Sequence, residues 1–264
     1  MPGEAAIRFL VRLSRAYTRV ISPVAFVARR FLRRAARESP EPRSVCLDVG
    51  AGTAPYRREI VDAFRVAHYV PVDIAPAICD AVVADARLLP FRTGSVDLVV
   101  SFDVIQHIAE PERVLAEVAR ILRPAGIVIV TFPFMYPECD FRDYQRWTVA
   151  GMEEMMRRCG LNPVLSSRRG GFVFAAVCAL NWVLQHVVPG QRRSWRQART
   201  WSGVVRSAMV AALTLPTNVL GWLALLFDAV VPARGAYMGG AILATRGSSI
   251  ETAAPASPTH RADP

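Results

Sequence analysis

Short apolar segments alternate with helical stretches between residues 44 and 160, and this alternation limits the possible folds more than any other feature. The patterns predict helices at 55–64, 110–122 and 148–159, and strands at 45–49, 68–72, 81–84, 96–101 and 126–132. A similar apolar segment at 237–245 predicts a final strand. Because strands that alternate with helices form a mainly parallel sheet covered on both faces, we expect an α/β fold.

The first predicted strand ends in a turn with two glycines, within the segment LDVGAGTAPYR (47–57). Gly50 and Gly52 allow the backbone to turn sharply and to approach a ligand closely, and the next helix presents free N–H groups. A dinucleotide-binding fingerprint requires glycine or alanine at position 55, where this chain has Pro55. The turn alone therefore indicates either a loop for another nucleotide or an ordinary tight turn.

Three acidic residues follow or end the first three strands, and together they indicate which nucleotide fits. Asp48 precedes the glycines, where it can hold an ammonium group. Asp73 ends the second strand, where it can accept both hydroxyls of a ribose. Asp85 follows the third strand and can accept the amino group of adenine, with the backbone of Ala86 near a ring nitrogen. S-Adenosyl-L-methionine (SAM) has these three groups and no pyrophosphate. Alternatively, Asp48 and Asp73 are helix caps or surface acids.

The segments LDVGAG, PVDIA and DARLLPFRTGSVDLVVSFDVIQHIAEPERVLAEVARILRPAGIVIVTFPF resemble the class I SAM-dependent methyltransferases of the type 11 group. The resemblance covers residues 44–168. It implies a Rossmann-like sheet of seven strands, with the last strand antiparallel and helices on both faces. In RPAG, Ala125 replaces a glycine of the family, and we expect the chain to tolerate it. The resemblance also implies SAM as cofactor, with contacts from Asp48, Gly50, Gly52, Asp73, Asp85, Ala86, Ser101, Phe102 and Asp103.

Methyl transfer depends mainly on aligning the acceptor atom, the methyl carbon and the sulfur, so it requires no strong catalytic signature. A base helps only with a hydroxyl or a protonated amine acceptor. The candidate acceptor loop follows the fifth strand, and we use the name acceptor loop for residues 131–156, TFPFMYPECDFRDYQRWTVAGMEEMM. It resembles a subset of these enzymes linked to glycan or cell-envelope pathways. That subset has His and Pro where this chain has Glu138 and Phe141, so Glu138 is a candidate replacement for the His.

The candidate catalytic residues have structural alternatives. His107 can face the methyl group, or it can pin a loop by hydrogen bonds. Asp143, Tyr144 and Arg146 can orient an acceptor. Alternatively they belong to a structural lid, in which Asp143 pairs with Arg146 and Trp147 packs beneath.

The composition is strongly basic, with a net charge of +10, a pI near 10.2 and no lysine among its basic residues. The five cysteines are scattered without a CxxC pair, which argues against a disulfide framework and against a metal site and favours a reducing compartment. No secretory signal is evident. Without interleaved aromatic residues or a reader motif, the arginines do not indicate a nucleic-acid partner.

Three segments suggest a membrane surface. Residues 5–37 carry nine arginines among apolar residues at near-helical spacing, with a break expected before Pro23. Such a helix can lie on anionic lipid, or it can pack on the main domain. The apolar segments 172–188 and 207–231 flank an arginine-rich segment, and Pro216 is expected to interrupt the second. They can form a hairpin in the inner leaflet, or a soluble cover or dimer interface.

These patterns predict five segments: a basic N-terminal helix and linker (1–43), a SAM-binding core (44–171), an apolar helical insertion (172–236), the last core strand (237–246) and a disordered tail (247–264). The predicted function is methyl transfer from SAM to an amphipathic or lipid-linked acceptor, such as a glycan or lipid intermediate. The enzyme would be cytoplasmic, and either peripheral on or partly embedded in the cytoplasmic face of the membrane. The alternatives are a soluble small-molecule or sugar methyltransferase, whose hairpin is a dimer interface, and a non-catalytic SAM-binding module.

Overall fold

A computed structural model of the chain describes residues 22–138, 142–187, 201–231 and 235–247. These residues form two compact units. The sheet unit contains residues 31–134, 138, 142–168 and 239–247, and the hairpin unit contains residues 22–30, 135–137, 169–187, 201–231 and 235–238. The predicted N-terminal part of the basic helix (5–21) and the predicted disordered tail beyond residue 247 lie outside the described residues. The five predicted segment boundaries stay predictions.

Seven strands form one sheet in the order β3-β2-β1-β4-β5-β7-β6. Strand β1 pairs in parallel with β2 and β4, β2 with β3, and β4 with β5, whereas β7 pairs antiparallel with β5. The expected seven-stranded sheet with an antiparallel last strand is therefore confirmed. The strands are β1 (Val45–Val49), β2 (His68–Asp73), β3 (Val82–Val83), β4 (Val96–Phe102), β5 (Leu122–Pro133), β6 (Leu161–Arg169) and β7 (Gly239–Arg246).

Six helices lie between or before the strands in the described residues: α1 (Pro23–Glu38), α2 (Arg57–Phe64), α3 (Pro111–Ile121), α4 (Val149–Arg158), α5 (Phe172–Val187) and α6 (Trp201–Val230). A short 3-10 helix, Ile105–His107, follows β4. Helix α1 begins at Pro23, where proline is tolerated because a first-turn N–H has no partner within the helix. The interruption expected at Pro216 is wrong, because α6 continues through this residue.

Alternate residues of the central strands contribute to two separate apolar clusters. Leu98 and Ile129 belong to one cluster, whereas Val99 and Val128 belong to the other. This period of two is what a sheet with both faces buried requires. One cluster also contains residues of α3 and α4: Val114, Leu115, Val118, Ile121, Met152, Met155 and Met156. The other contains residues of α1 and α2: Phe31, Leu32, Ala35, Ile60 and Phe64.

The C-terminal part of α1 is an ordinary packed helix. Phe31, Leu32 and Ala35 are buried in the core of the sheet unit, at 4%, 1% and 0% exposure. Of the two interpretations of the basic segment, packing on the main domain is therefore the one observed for this part of the helix. These three side chains are already covered by protein and are not available to a lipid surface.

Helices α5 and α6 pack against each other in the hairpin unit. Their shared core is small and includes Phe174, Ala175 and Ala224. Asp228 of α6 accepts hydrogen bonds from the backbone N–H groups of residues 171, 173 and 174, at 3.0, 3.2 and 3.0 Å. Because these groups lie at the start of α5 and have no partner within that helix, Asp228 caps α5 from the neighbouring helix.

Within the parts of the chain that the structure describes, no helix combines the length and the apolar character needed to cross a membrane.

Candidate cofactor and acceptor site

The predicted cofactor residues lie at the carboxyl ends of neighbouring strands. In the sheet, β1 lies between β2 and β4, and Asp48 is aligned with Pro71 on one side and Val100 on the other. Parallel strands share one direction, so the turn after β1, the end of β2 and the end of β4 meet at the same edge. Open α/β sheets bind their ligands at this edge.

The second glycine of the turn is tied to β2 by a carboxylate. The N–H of Gly52 donates to Oδ2 of Asp73 at 2.8 Å, and Oδ1 of Asp73 accepts from the N–H of Ala75 at 2.9 Å. Gly52 has a φ of +52°, and a Cβ added there would meet no atom within 4 Å. The turn therefore opens onto free space at Gly52, and Asp73 fixes its conformation.

Gly50 has a different structural role. Its φ is +75°, and an added Cβ would lie 2.4 Å from a methyl carbon of Val104. Its N–H donates to the carbonyl of Val72 at 2.8 Å. Gly50 is thus required by backbone conformation and by the close approach of Val104, and its predicted contact with the cofactor stays a prediction.

Asp48 is buried beside Tyr69, a residue that no sequence pattern links to it. Its side chain accepts a hydrogen bond from the hydroxyl of Tyr69, and the residue is 4% exposed. Burial raises the pKa of Asp48 to about 6; the hydrogen bond from Tyr69 opposes this rise, and the nearby charge of Asp73 adds to it. Because a cation favours the ionised form of a carboxyl, a bound ammonium group would lower this pKa again.

Arg57 lies on the other side of Tyr69. Its guanidinium carbon is 5.0 Å from the centre of the Tyr69 ring, and the same group forms an ion pair with Asp80 at 2.6 Å. The first turn of α2 is thereby joined to the segment after β2. Tyr69 and Arg57 could have been identified only from the alignment of β1 with β2, which places Tyr69 opposite Cys46.

Asp85 is paired with an arginine two residues further on. Arg87 contacts both carboxylate oxygens of Asp85, with the shortest distance at 2.7 Å, and it also contacts Glu110 at 3.0 Å. The hydrogen bond from the Arg87 side chain lowers the pKa of Asp85 and keeps it ionised. The predicted contact between Asp85 and adenine stays a prediction. The neighbouring Ala86 is half-buried.

The end of β4 brings a polar, an aromatic and an acidic residue to the site. Ser101 is buried at 7% exposure, and the ring of Phe102 contacts Tyr56 of the glycine turn with 4.8 Å between ring centres. Asp103 has a φ of +52°, and its N–H donates to both oxygens of Thr131, at 3.1 Å for the carbonyl and 3.0 Å for Oγ1. These contacts hold the start of the segment that leads to His107.

His107 contacts the acceptor loop through its ring. Nδ1 lies 3.2 Å from the carbonyl oxygen of Arg142, and Nε2 lies 3.1 Å from Nε2 of Gln106. The backbone N–H of Tyr144 donates to the carbonyl of Gln106 at 2.8 Å. This geometry is that of the loop-pinning role, and a catalytic role for His107 stays a prediction. The side chain of Tyr144 is 54% exposed, and Glu138 is also exposed.

Asp143, Arg146 and Trp147 have the contacts expected of a structural lid. Asp143 forms a bidentate ion pair with Arg146, and its side chain is only 1% exposed. Trp147 is buried and packs edge to face against Phe132, with 6.3 Å between ring centres. Direct contact of Asp143 or Arg146 with an acceptor stays a prediction. Residues 139–141, which include Phe141, lie outside the described residues. Among the residues that are described, no group of His, Cys, Asp or Glu could hold a metal ion.

Comparisons with known proteins point to one class. The chain is 29% identical over 191 residues to an uncharacterized methyltransferase of Mycolicibacterium gilvum, covering 64% of this chain and 74% of that protein. It is 34% identical over 98 residues to a malonyl-[acyl-carrier protein] O-methyltransferase of Methylococcus capsulatus, covering 32% of this chain but only 36% of that protein.

A solved structure from Galdieria sulphuraria, provisionally assigned as a sarcosine dimethylglycine methyltransferase, covers 86% of each chain with a TM-score of 0.56. Its sequence identity of 17% makes this a likeness of fold alone. The sheet order is that of the class I SAM-dependent methyltransferases, and together with the glycine turn and the sequence likenesses it supports a methyltransferase domain of this class in the sheet unit. Within that class, the family model for the methyltransferase domain of the type 11 group matches residues 47–130.

The cofactor of this class is SAM, and the residues at the site fit it. Gly52 faces open space, so a ligand can approach the backbone closely. Asp48 offers a buried carboxyl to a cation, and Asp73 lies within hydrogen-bonding distance of the turn. Ammonium, hydroxyl and amino groups all donate hydrogen bonds, and carboxylates are the acceptors that suit them.

Proposed function

We propose that the chain transfers a methyl group from SAM to an amphipathic or lipid-linked acceptor, such as a glycan or lipid intermediate, at the cytoplasmic face of a membrane. The single observation that carries this proposal is the exposed apolar surface of the hairpin unit. Large apolar side chains on the surface of a protein mark a contact with lipid or with another protein when they form a continuous patch.

One face of α6 is exposed and apolar. Leu223 is 58% exposed, Leu226 is 66% exposed and Val230 is 74% exposed. The spacing of the exposed large side chains follows the helical period of 3.6 residues, so they share one face. Among the side chains of α6 that the structure describes, from residue 216 onward, the exposed large apolar ones are Val219, Leu220, Leu223, Leu226, Phe227 and Val230.

Helix α5 has a similar exposed face. Phe172, Leu180 and Val183 are 49%, 46% and 49% exposed. The side chains buried on these two helices include small or polar ones, such as Ala175 and Thr217. Phe174 of α5 is also fully buried, but both helices present several large apolar side chains outward.

The charge of the chain supports anionic lipid as the occupant of this surface. The net charge is +10, and residues 191–206 between the two apolar segments carry five arginines. Arg30 of α1, in the same unit, is exposed. An apolar face beside basic residues is typical of peripheral binding to anionic bilayers, and each basic residue near such a surface contributes about 1 kcal/mol.

On the cofactor side, the proposal assigns the ammonium group to Asp48, the ribose hydroxyls to Asp73 and the adenine amino group to Asp85. Gly50, Gly52, Ala86, Ser101, Phe102 and Asp103 complete the binding residues. SAM supplies a sulfonium-bound methyl group, and the side chains orient it and exclude water.

Asp73→Ala should weaken binding of S-adenosylhomocysteine about 10- to 100-fold, measured by calorimetry, because a hydrogen bond to a charged group contributes about 1.5–3 kcal/mol. Asp80→Ala is the control, since Asp80 is exposed and pairs with Arg57.

A second candidate is methyl transfer to a soluble small molecule or sugar, with the hairpin unit as a dimer interface. The observation that favours it is the relative from Methylococcus capsulatus, whose name gives an acyl-carrier-bound malonyl group as the acceptor of that protein. An apolar face that suits lipid also suits a second copy of the chain.

The decisive experiment combines flotation with methyl transfer. The purified chain is mixed with vesicles of phosphatidylglycerol and phosphatidylcholine, and flotation is compared with vesicles of phosphatidylcholine alone. Leu226→Glu should reduce binding to the anionic vesicles about tenfold, since it removes apolar burial and adds repulsion. Val164→Glu is the matched control, because Val164 is exposed in the sheet unit at 57%. Labelled methyl from SAM should enter a lipid of a cell-envelope extract. A chain that stays off both vesicle types and sediments as a dimer favours the second candidate.

A further inference from the structure

A chain of hydrogen bonds at the end of β4 determines how the ring of His107 is protonated. Nε2 of Gln106 donates to the carbonyl of Asp103 at 2.6 Å, and it also lies 3.1 Å from Nε2 of His107. Nδ1 of His107 lies 3.2 Å from the carbonyl oxygen of Arg142. Both carbonyls can only accept, so the two ends of this chain must be donors.

Only one assignment satisfies these contacts. The Gln106 amide gives one hydrogen to Asp103 and the other to Nε2 of His107, which accepts it with its lone pair. Nδ1 of His107 then carries the proton that it donates to Arg142. The reversed amide would bring its oxygen against the carbonyl of Asp103, which is repulsive. A doubly protonated ring would bring an N–H of His107 against the amide hydrogens of Gln106.

The amide of Gln106 keeps this orientation although one of its buried atoms is left without a hydrogen bond within the described part of the chain. Gln106 is 4% exposed, and its Oε1 is buried and has no hydrogen-bond partner among the residues that the structure describes. Leaving a buried acceptor unpaired is unfavourable. The amide is therefore held by its two donor contacts, to Asp103 and to His107.

The same two residues hold the described part of the acceptor loop. His107 binds the carbonyl of Arg142, and the carbonyl of Gln106 binds the N–H of Tyr144 at 2.8 Å. Between these two points lies Asp143, whose buried side chain pairs with Arg146. These contacts fix both ends of the segment 142–144 to the 3-10 helix.

We propose that Gln106 and His107 form a clasp that positions the acceptor loop, with His107 neutral, protonated on Nδ1, and acting as a positioning residue rather than as the base. The expected effect on the reaction rate rests on the proposed methyl transfer. The positioning of the loop rests only on the contacts of Gln106 and His107. Since both ring nitrogens are occupied by hydrogen bonds, the ring has no lone pair to offer an acceptor proton.

The first test separates the two roles of His107 by substitution. His107→Asn keeps an N–H donor near the position of Nδ1 and removes any base, whereas His107→Ala removes both. We expect His107→Asn to retain the initial rate of methyl transfer into the envelope extract within about threefold, and His107→Ala to lose about tenfold or more. Affinity for S-adenosylhomocysteine should stay unchanged in both. If His107→Asn loses as much rate as His107→Ala, His107 is the base and the proposal is overturned.

The second test needs no acceptor. Nitrogen-15 NMR of the wild type should show His107 protonated on Nδ1 and bare on Nε2, and the amide of Tyr144 should exchange with solvent about tenfold faster in His107→Ala than in the wild type or His107→Asn. Gln106→Leu should weaken the tautomer preference without abolishing it, since the carbonyl of Arg142 still selects the proton on Nδ1. Gln145→Leu is the control, since its amide lies 3.4 Å from the carbonyl of Ala109. A proton on Nε2 would overturn the proposal. Absence of methyl transfer with the expected tautomer would instead count against the proposed function.

Discussion

The sheet unit and the hairpin unit place their apolar side chains in opposite ways. In the sheet unit, large residues such as Leu98 and Ile129 are fully buried. In α6 of the hairpin unit, Thr217 and Ala224 are buried, whereas Leu223 and Phe227 are more than half exposed. Small residues at a helix contact and large apolar residues outside are features of helices in a lipid environment. The proposed lipid contact of the hairpin unit depends on this difference between the two units.

The largest expected difference between the two units is in the effect of truncating one large apolar side chain in each. Ile129→Ala should lower the free energy of unfolding by about 2–5 kcal/mol, because it leaves a cavity in a packed core. Leu226→Ala should change it by less than about 0.5 kcal/mol, because the side chain is exposed in the absence of lipid. Urea unfolding followed by circular dichroism measures both variants. An equally large loss for Leu226→Ala would show that α6 is covered by protein and would remove the contrast.

The buried carboxyl of Asp48 should make the stability of the sheet unit depend on pH. Its pKa is raised from 3.8 to about 6 in the folded chain, so the folded state favours the neutral acid. Its contribution to stability is fully present below about pH 4 and is lost as the pH rises through about 6, by about 2–3 kcal/mol. The decrease should be missing in Asp48→Asn, as measured by urea unfolding at pH 4 to 8.

The same group predicts how cofactor binding depends on pH. The affinity for S-adenosylhomocysteine should increase from pH 5 to pH 7, because its ammonium group binds the ionised form of Asp48. Binding of methylthioadenosine, which lacks the amino acid part, provides the control and should stay constant. If both ligands respond equally to pH, Asp48 does not contact the ammonium group.

Asp228 allows the hairpin unit to be disturbed without the sheet unit. Asp228→Ala leaves three backbone N–H groups at the start of α5 without their acceptor. We expect a local loss of about 1–2 kcal/mol, the usual value of a helix cap, seen as faster amide exchange at Val173 and Phe174. Asp228→Asn should lose less, since an amide oxygen still accepts. Cofactor affinity should not change in either variant.

The smallest expected effect is a gain in stability within the sheet unit. Ala125 has a φ of +60°, a conformation that is unfavourable for residues with a Cβ. Ala125→Gly should therefore stabilise the chain by about 0.5–1 kcal/mol. Ala116→Gly, on the exposed side of α3, should have the opposite sign because glycine weakens a helix. The two melting temperatures, compared with the wild type, test this directly.

The sequence predicted most of the fold, because apolar periodicity reports burial. The strand predicted at 45–49 is β1, and the strand predicted at 96–101 is β4 with one more residue. The sequence pattern does not predict strand β6. Its sequence, LNPVLSSRR, is half polar and only three of its residues are buried, so it has no alternating apolar pattern. The interruption predicted at Pro216 does not occur for another reason. A proline that breaks an isolated helix can be tolerated in a long packed one.

The candidate site was predictable in part. Asp48 and Asp73 could be identified because each lies at the end of an apolar strand next to the glycine turn. Their partners could not, because Tyr69 becomes a neighbour of Asp48 only through strand pairing. The clasp of Gln106 with His107 depends on side-chain directions in a 3-10 helix and on a loop residue far along the chain. Sequence spacing contains neither kind of information.

The contact between Gly50 and Val104 has a consequence for both halves of the reaction. Val104 occupies the space that any side chain at position 50 would need, and it directly precedes the 3-10 helix that carries Gln106 and His107. In Gly50→Ala, either Val104 or the glycine turn must therefore shift, and we expect the shift to reach the 3-10 helix. In our proposal, a single added methyl group at the donor side of the site would thus disturb the residues that organise the methyl recipient.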